Sequence, residues 1–383
     1  MKIVNRLADR FSKVQPLPAG IHQFASAPDA ERPYRLHLRL EADGSGVLIV
    51  NAATVLHLNP TAAEYAFHFV QGTPPEQAAR QIASRYRVSK SMALEDYRDF
   101  AERVDTLVTT PDLDPVSYLD FERVAPHSAG LTAPLRLDCA LTYRLPDGTS
   151  ADYAPAKRVD RELTSEEWQQ VLEKAWEAGI PHITFTGGEP TLREDLPALI
   201  AHAEKLGQVC GLLSDGLKLR DEEYFGVLLG TGLDHLLFLL QPENEESWAA
   251  LESIMPADLF TTVHLTIRPA DLEAAGGTLD RLGKLGVTSL SIGLPDPGLR
   301  GQIELLLSKA AGLGMNLAFD LPVPYSAQNP VTLETARNGT QSGAGKSWLY
   351  VEPDGDVLPA QGMADRVLGN ILGDDWEKIY PVS

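Results

Sequence analysis

From Tyr34 the chain alternates apolar and polar positions: Leu36, Leu38 and Leu40 are separated by His37 and Arg39, Asp43-Gly44-Ser45-Gly46 turns the chain, and apolar runs follow at 47–50 and 54–58. Alternation with period two, broken by Asp-Gly, predicts a hairpin and about three short strands. Asn59 before Pro60 predicts a helix start, because the Asn side chain accepts a backbone N–H that is otherwise unpaired and Pro fits the first helical position. Two more helices are predicted over 75–86 and 91–107; in the second, Tyr97, Phe100, Ala101 and Val104 recur on one face. Strands followed by three helices describe a small winged-helix-like α+β domain over 31–110, behind an N-terminal tether at 1–30.

Residues 111–134, with Pro115, Pro126, Gly130 and Pro134 and little periodicity, read as a linker. Strand-length apolar runs then appear at 135–143, 182–186, 209–214, 235–240, 262–267, 289–294 and 316–321. Helical patterns lie between them, around Trp168, Leu199, Tyr224, Trp248, Leu279 and Leu305. This order predicts an α/β fold with a parallel sheet and crossover helices. Six or seven strands are too few for a closed eight-stranded barrel, so 135–335 reads as a partial barrel. A last segment, 336–383, carries a hairpin turned at Asp354-Gly355.

The chain has 383 residues, 44% hydrophobic and 22% charged, enough for two or three globular domains. Its formal charge of −20 opposes phosphate backbones and argues against nucleic acid as a partner. The third helix of the N-terminal domain repeats this, with Glu95, Asp96, Asp99, Glu102 and Asp105 against Lys90, Arg98 and Arg103. No apolar run reaches the ~18 residues of a spanning helix, and the start Met1-Lys2-Ile3-Val4-Asn5-Arg6 lacks a signal peptide's apolar stretch, so a cytoplasmic protein with no membrane contact is expected. Cys139 and Cys210 sit in strand-like runs and read as buried free thiols.

The chemistry concentrates in Thr186-Gly187-Gly188-Glu189-Pro190-Thr191-Leu192-Arg193, directly after a predicted strand. Glycines there permit close backbone approach to a small ligand, and Glu189 offers an acceptor to an ammonium group. The segment resembles the Gly-Gly-Glu-Pro loop with which radical S-adenosylmethionine (SAM) enzymes hold the methionine end of SAM. In those enzymes the loop after the first barrel strand reads Cys-x3-Cys-x2-Cys-Tyr and clasps a [4Fe-4S] cluster; here the matching positions are Leu145, Thr149 and Asp152, followed by Tyr153. Leucine does not ligate iron, threonine is a poor ligand, and one carboxylate does not assemble a cubane. The resemblance thus implies an open (β/α)6 radical-SAM-like barrel with no cluster and no catalytic residue. A residual SAM-type pocket would be formed by Gly187, Gly188, Glu189, Pro190 and Ser214.

Leu212-Leu213-Ser214-Asp215-Gly216 stands where the family has a Thr-Asn-Gly turn; Ser214 either bonds a ligand or belongs to a solvated turn. Leu239-Leu240-Gln241-Pro242 occupies the place of a Ser-Leu-Asp-Gly-like turn. Asp152, Glu189 and Asp215 line one mouth, as a cation or acid–base site or as solvated surface. His182, His235 and His264 read as strand residues, and Gly343-Ala344-Gly345-Lys346-Ser347 leads into a strand, unlike a phosphate loop. The run from Gly343 to Ala360, then Leu368-Gly369-Asn370-Ile371, resembles the SPASM or twitch extension of peptide-modifying members, with Ala360 at a cysteine position.

The stretches Val55-Leu56-His57-Leu58-Asn59-Pro60-Thr61 and Gly72-Thr73-Pro74-Pro75-Glu76-Gln77 resemble the PqqD-type domain. That domain, a RiPP recognition element, binds the leader of a ribosomally made, post-translationally modified peptide as an added strand; the alternative is a spacer or dimer contact. Together the resemblances imply a non-redox member of the peptide-maturase group that binds a precursor peptide and assists an active maturase partner. The alternatives are an active SAM-dependent peptide-modifying enzyme, radical or nonradical, and a structural subunit of a maturase complex.

Overall fold

The computed structural model describes residues 14–27, 30, 34–50, 54–110, 131–147, 149, 158–294, 297–318, 343–361, 363 and 365–381. The chain forms two compact units, Met1–Thr132 and Ala133–Ser383.

In the first unit, strands β1 (Gly20–Ala25), β2 (Arg35–Leu40), β3 (Gly46–Val50) and β4 (Thr54–Leu58) form an antiparallel sheet in sequence order. Helices α1 (Pro60–Val70), α2 (Pro75–Tyr86) and α3 (Lys90–Thr109) follow. Asn59 caps α1 as predicted, its Oδ1 accepting from Ala62 N at 3.0 Å. Leu36, Leu38, Leu48, Leu56 and Leu58 pack with Ala66, Ile82, Tyr97, Phe100 and Val104 in one core. The tether reading of 1–30 is corrected by β1, whose six residues pair with β2 from Gly20↔Leu40 to Ala25↔Arg35. Gly-Ile-His-Gln-Phe-Ala carries little alternation of its own; its pairing comes from β2.

In the second unit, strand and helix alternate: β5 (Arg136–Thr142), α4 (Ser165–Glu177), β6 (His182–Gly187), α5 (Leu196–Leu206), β7 (Val209–Ser214), α6 (Glu222–Gly230) and β8 (His235–Leu239). The series continues with α7 (Glu245–Ile254), β9 (Phe260–Thr266), α8 (Leu272–Lys284), β10 (Ser289–Gly293), α9 (Arg300–Gly312) and the two-residue β11 (Asn316–Leu317). β5 to β11 are parallel neighbours in sequence order, and among the described residues β11 is the edge of the sheet. β12 (Trp348–Val351) pairs parallel to the free edge of β5, and β13 (Asp356–Leu358) and β14 (Gly369–Asn370) extend the same sheet antiparallel. The C-terminal hairpin therefore adds strands to the sheet beside its first strand. A short helix, α10 (Trp376–Ile379), closes the described chain.

Successive strand residues face opposite sides of the sheet. One side meets the helices: Leu137, Cys139, Leu141, Ile183, Phe185, Cys210, Leu212, Phe238 and Val263 share a core with Trp168, Leu172, Leu199, Leu251 and Leu279. The other side is largely polar and presents Asp138, Thr142, Thr184, Thr186, Thr262, His264, Ser289 and Ser291, all buried. Among the described residues no helix is long and apolar enough to cross a membrane.

Candidate functional site

The loop after β6 is shaped by its contact with the end of β5. Gly188 N donates to Thr142 O at 2.7 Å, and Glu189 N donates to Arg144 O at 2.8 Å. A Cβ on Gly187, whose φ is +134°, would lie 2.1 Å from Thr142 O; one on Gly188 would lie 2.2 Å from Arg144 O. The glycines are thus required by the approach of one loop backbone to another, where the sequence pointed to approach to a ligand. Pro190 opens a one-turn helix over Pro190–Leu192. Arg193 ties it back, donating to Leu141 O at 3.3 Å and Leu163 O at 3.0 Å while Asp195 holds its other edge.

Glu189 is 2% exposed. Its Oε1 accepts from Thr191 N at 3.1 Å, Thr191 Oγ1 at 2.6 Å and Ser214 Oγ at 2.9 Å. Its Oε2 accepts from Asp215 N at 2.8 Å. Both oxygens are engaged inside the protein, and the carboxylate staples the β6 loop to the β7 loop. Ser214 is fully buried, which corrects the reading of a solvated turn, and its Oγ also accepts from Gly216 N at 2.9 Å. Asp215 is buried too, its Oδ1 accepting from Leu217 N at 3.0 Å. Burial, and then the Asp215 carboxylate beside it, push the Glu189 carboxyl well above the usual range; burial raises Asp215 likewise. Two buried acids this close retain a proton between them more readily than either alone. Lys218 Nζ donates to Thr191 O at 2.7 Å and lies 4.3 Å from the Tyr224 ring centre.

Leu145 and Thr149 lie in the loop after β5, half-buried; Asp152 and Tyr153 are outside the described residues. Both cysteines are buried thiols outside any disulfide, inside strands on the helix-facing side. Burial raises the Cys139 thiol well above its ordinary value, which disfavours the thiolate a metal needs. The described residues therefore do not fit an iron–sulfur cluster. The loop's base carries a polar network instead. Tyr143 Oη donates to Glu352 Oε1 at 3.0 Å and lies 3.1 Å from Tyr350 Oη. Arg158 bonds Glu352 and sits 2.5 Å from Asp356. Thr142 Oγ1 donates to Glu162, which also faces Arg144 at 3.6 Å. No sequence signal announced this network, since Tyr143 and Glu352 are 209 positions apart.

On the polar side of the sheet, His182 and His235 meet Nε2 to Nε2 at 3.2 Å across β7. Gly211 makes room for them, since a Cβ there would lie 2.2 Å from His235 Nε2. Burial, and secondarily the Arg136 cation, push His235 down to about 4, so it is neutral at ordinary pH. His264 lies 3.0 Å from Ser291 Oγ and 3.1 Å from Thr266 Oγ1. The three histidines belong to strands as expected.

Residues 139–295 match the model of the Radical SAM superfamily. PqqA peptide cyclase of Streptomyces rochei is 28% identical over 252 residues, covering 59% of this chain and 69% of that protein. PqqA peptide cyclase of Xanthomonas oryzae pv. oryzae (strain MAFF 311018) is 26% identical over 283 residues, covering 63% and 74%. Streptococcus suis SuiB, in a crystal structure bound to its precursor peptide SuiA, superposes with a TM-score of 0.61 at 14% identity over 90% of this chain and 86% of that one. The chain is thus similar to radical SAM proteins over residues 139–295, is similar in sequence to PqqA peptide cyclase and shares its fold with SuiB.

Proposed function

We propose that this chain is a radical-SAM-like protein without redox chemistry, which binds the leader of a precursor peptide in a RiPP-type maturation pathway and assists an active partner enzyme. The observation that carries the reading is the loop after β5: Leu145 and Thr149 stand at ligand positions, and the two thiols face the helix side of the sheet. Electron delivery to SAM needs a cluster on that loop, and clusters are held by thiolates. The peptide half rests on the relatives, since PqqA peptide cyclase and the SuiA-bound SuiB are both peptide-handling proteins by name. It also rests on the sheet β1-β2-β3-β4, where among the described residues β4 pairs on one side only, and an extended peptide adds to such an edge. In this reading the sheet and three helices are the winged-helix-like, PqqD-like domain, and β12 to β14 are the SPASM-like extension.

The test is calorimetric titration of the full chain with synthetic peptides translated from the short reading frames flanking its gene. Saturable 1:1 binding is expected for one of them; absence of binding by all removes the peptide assignment. A second reading, nonradical SAM binding, is favoured by the retained Gly187-Gly188-Glu189-Pro190 loop, with Ser214 beside it. Equilibrium dialysis with labelled SAM distinguishes the two, because retention of SAM by iron-free protein supports the second. A purely structural subunit would bind neither.

A further inference from the structure

The loop that carries Leu145 and Thr149 leaves the sheet at Thr142 and Tyr143 and is described again from Arg158. Its two feet are bonded to each other and to a single turn. Tyr143 reaches Glu352, and Arg158 reaches Glu352 and Asp356, so one buried carboxylate joins both feet. Thr142 and Arg144 converge on Glu162, and Leu163 N donates to Pro353 O at 2.7 Å. The turn is itself braced: Glu352 N donates to Asp356 O at 2.8 Å, and Asn370 Nδ2 donates to Asp356 Oδ1 at 3.0 Å. Glu352, Asp354 and Asp356 bring carboxylate oxygens within 4.8 Å of one another, a grouping that suits a hard cation with oxygen ligands. The Arg158 guanidinium already lies against two of the three.

We propose that this network is a protein-only clasp: Tyr143, Arg158 and the Glu352–Asp356 turn fix the base of the first-strand loop without metal, and Arg158 is the built-in cation of the acidic turn. Tyr143 and Arg158 are positioning residues here. The inference is independent of which peptide, if any, the chain binds. A buried carboxylate that loses its cation must take another or become protonated. Removing Arg158 therefore leaves the turn to be compensated by protonation or by an added cation, and a response to calcium tells the two apart.

The experiment uses the full chain, freed of metal with EDTA, and reads hydrogen exchange at the Leu163 and Glu352 amides with and without calcium chloride. In the unsubstituted protein both amides are expected to be protected and indifferent to calcium. Arg158→Ala is expected to raise their exchange at least tenfold, with calcium restoring protection, while amides of α5 and α7 stay unchanged. Tyr143→Phe is expected to raise exchange at Glu352 without creating a calcium response. Arg158→Lys, which keeps the charge, supplies the readout if Arg158→Ala does not fold, and is expected to retain calcium indifference. Unchanged protection in both Arg158→Ala and Tyr143→Phe would overturn the clasp. So would calcium binding by the unsubstituted protein, or protection that appears only after anaerobic loading with iron and sulfide.

Discussion

Asp215 puts a second carboxylate against buried Glu189. Because the folded state raises both acids, it favours their protonated forms. That contribution is complete below the ordinary carboxylate range and is lost as pH rises through the raised values. Asp215→Asn removes the repulsion and keeps an acceptor for Leu217 N. It is expected to raise the melting temperature on the alkaline side and flatten its fall between about pH 5 and about pH 9, read by scanning fluorimetry. His235 acts on the acid side with the opposite sign. Its lowered value means that stability present above its ordinary range is lost as pH falls toward about 4. Gly188→Ala meets backbone, not a flexible side chain, at 2.2 Å, and is expected to cost roughly 3 kcal/mol or more by urea denaturation. Gly226→Ala in α6, where nothing lies within 4 Å, is the control, expected to stabilise by about 0.5–1 kcal/mol.

Elements were legible where a strand is a short continuous apolar run or a helix buries one face. The runs around Leu212, Phe238 and Val263 and the helices around Trp168 and Leu279 all occur where their patterns placed them. The Asn59 cap followed from local chemistry, and Asn59→Ala is expected to cost about 1 kcal/mol, measured as a lower melting transition of the first unit. β1 and β14 were not legible, since they are short and take their register from partners far away in sequence. The candidate site divides the same way. The placement of Leu145 and Thr149 after the first strand could be read directly, as could the Gly187-Gly188-Glu189 loop after β6. That Glu189 turns inward to Ser214 and Thr191 could not, because a motif records residue types and not which neighbour satisfies them. The clasp was invisible for the reason β12 was unplaced: its halves lie on opposite ends of the second unit's sequence.

At the scale of the whole molecule, the region that matches the radical SAM model holds a run of parallel strands whose loop side chains bond to each other. If the proposed non-redox function holds, anaerobic loading with iron and sulfide leaves no broad visible absorption after desalting; retained absorption with SAM cleavage would overturn it. The placement of β12 against β5 carries a consequence for biosynthesis. Trp348 pairs with Arg136, so one side of the first parallel strand lacks this partner until Trp348–Val351 has left the ribosome. An unpaired strand edge is adhesive, and contacts this distant in sequence form slowly. A chain ended at residue 342 is expected to associate into light-scattering particles during refolding, and supplying the missing stretch as a peptide to suppress them. Nascent copies of this protein thus have a built-in interval of vulnerability, which lasts until Trp348–Val351 has been made.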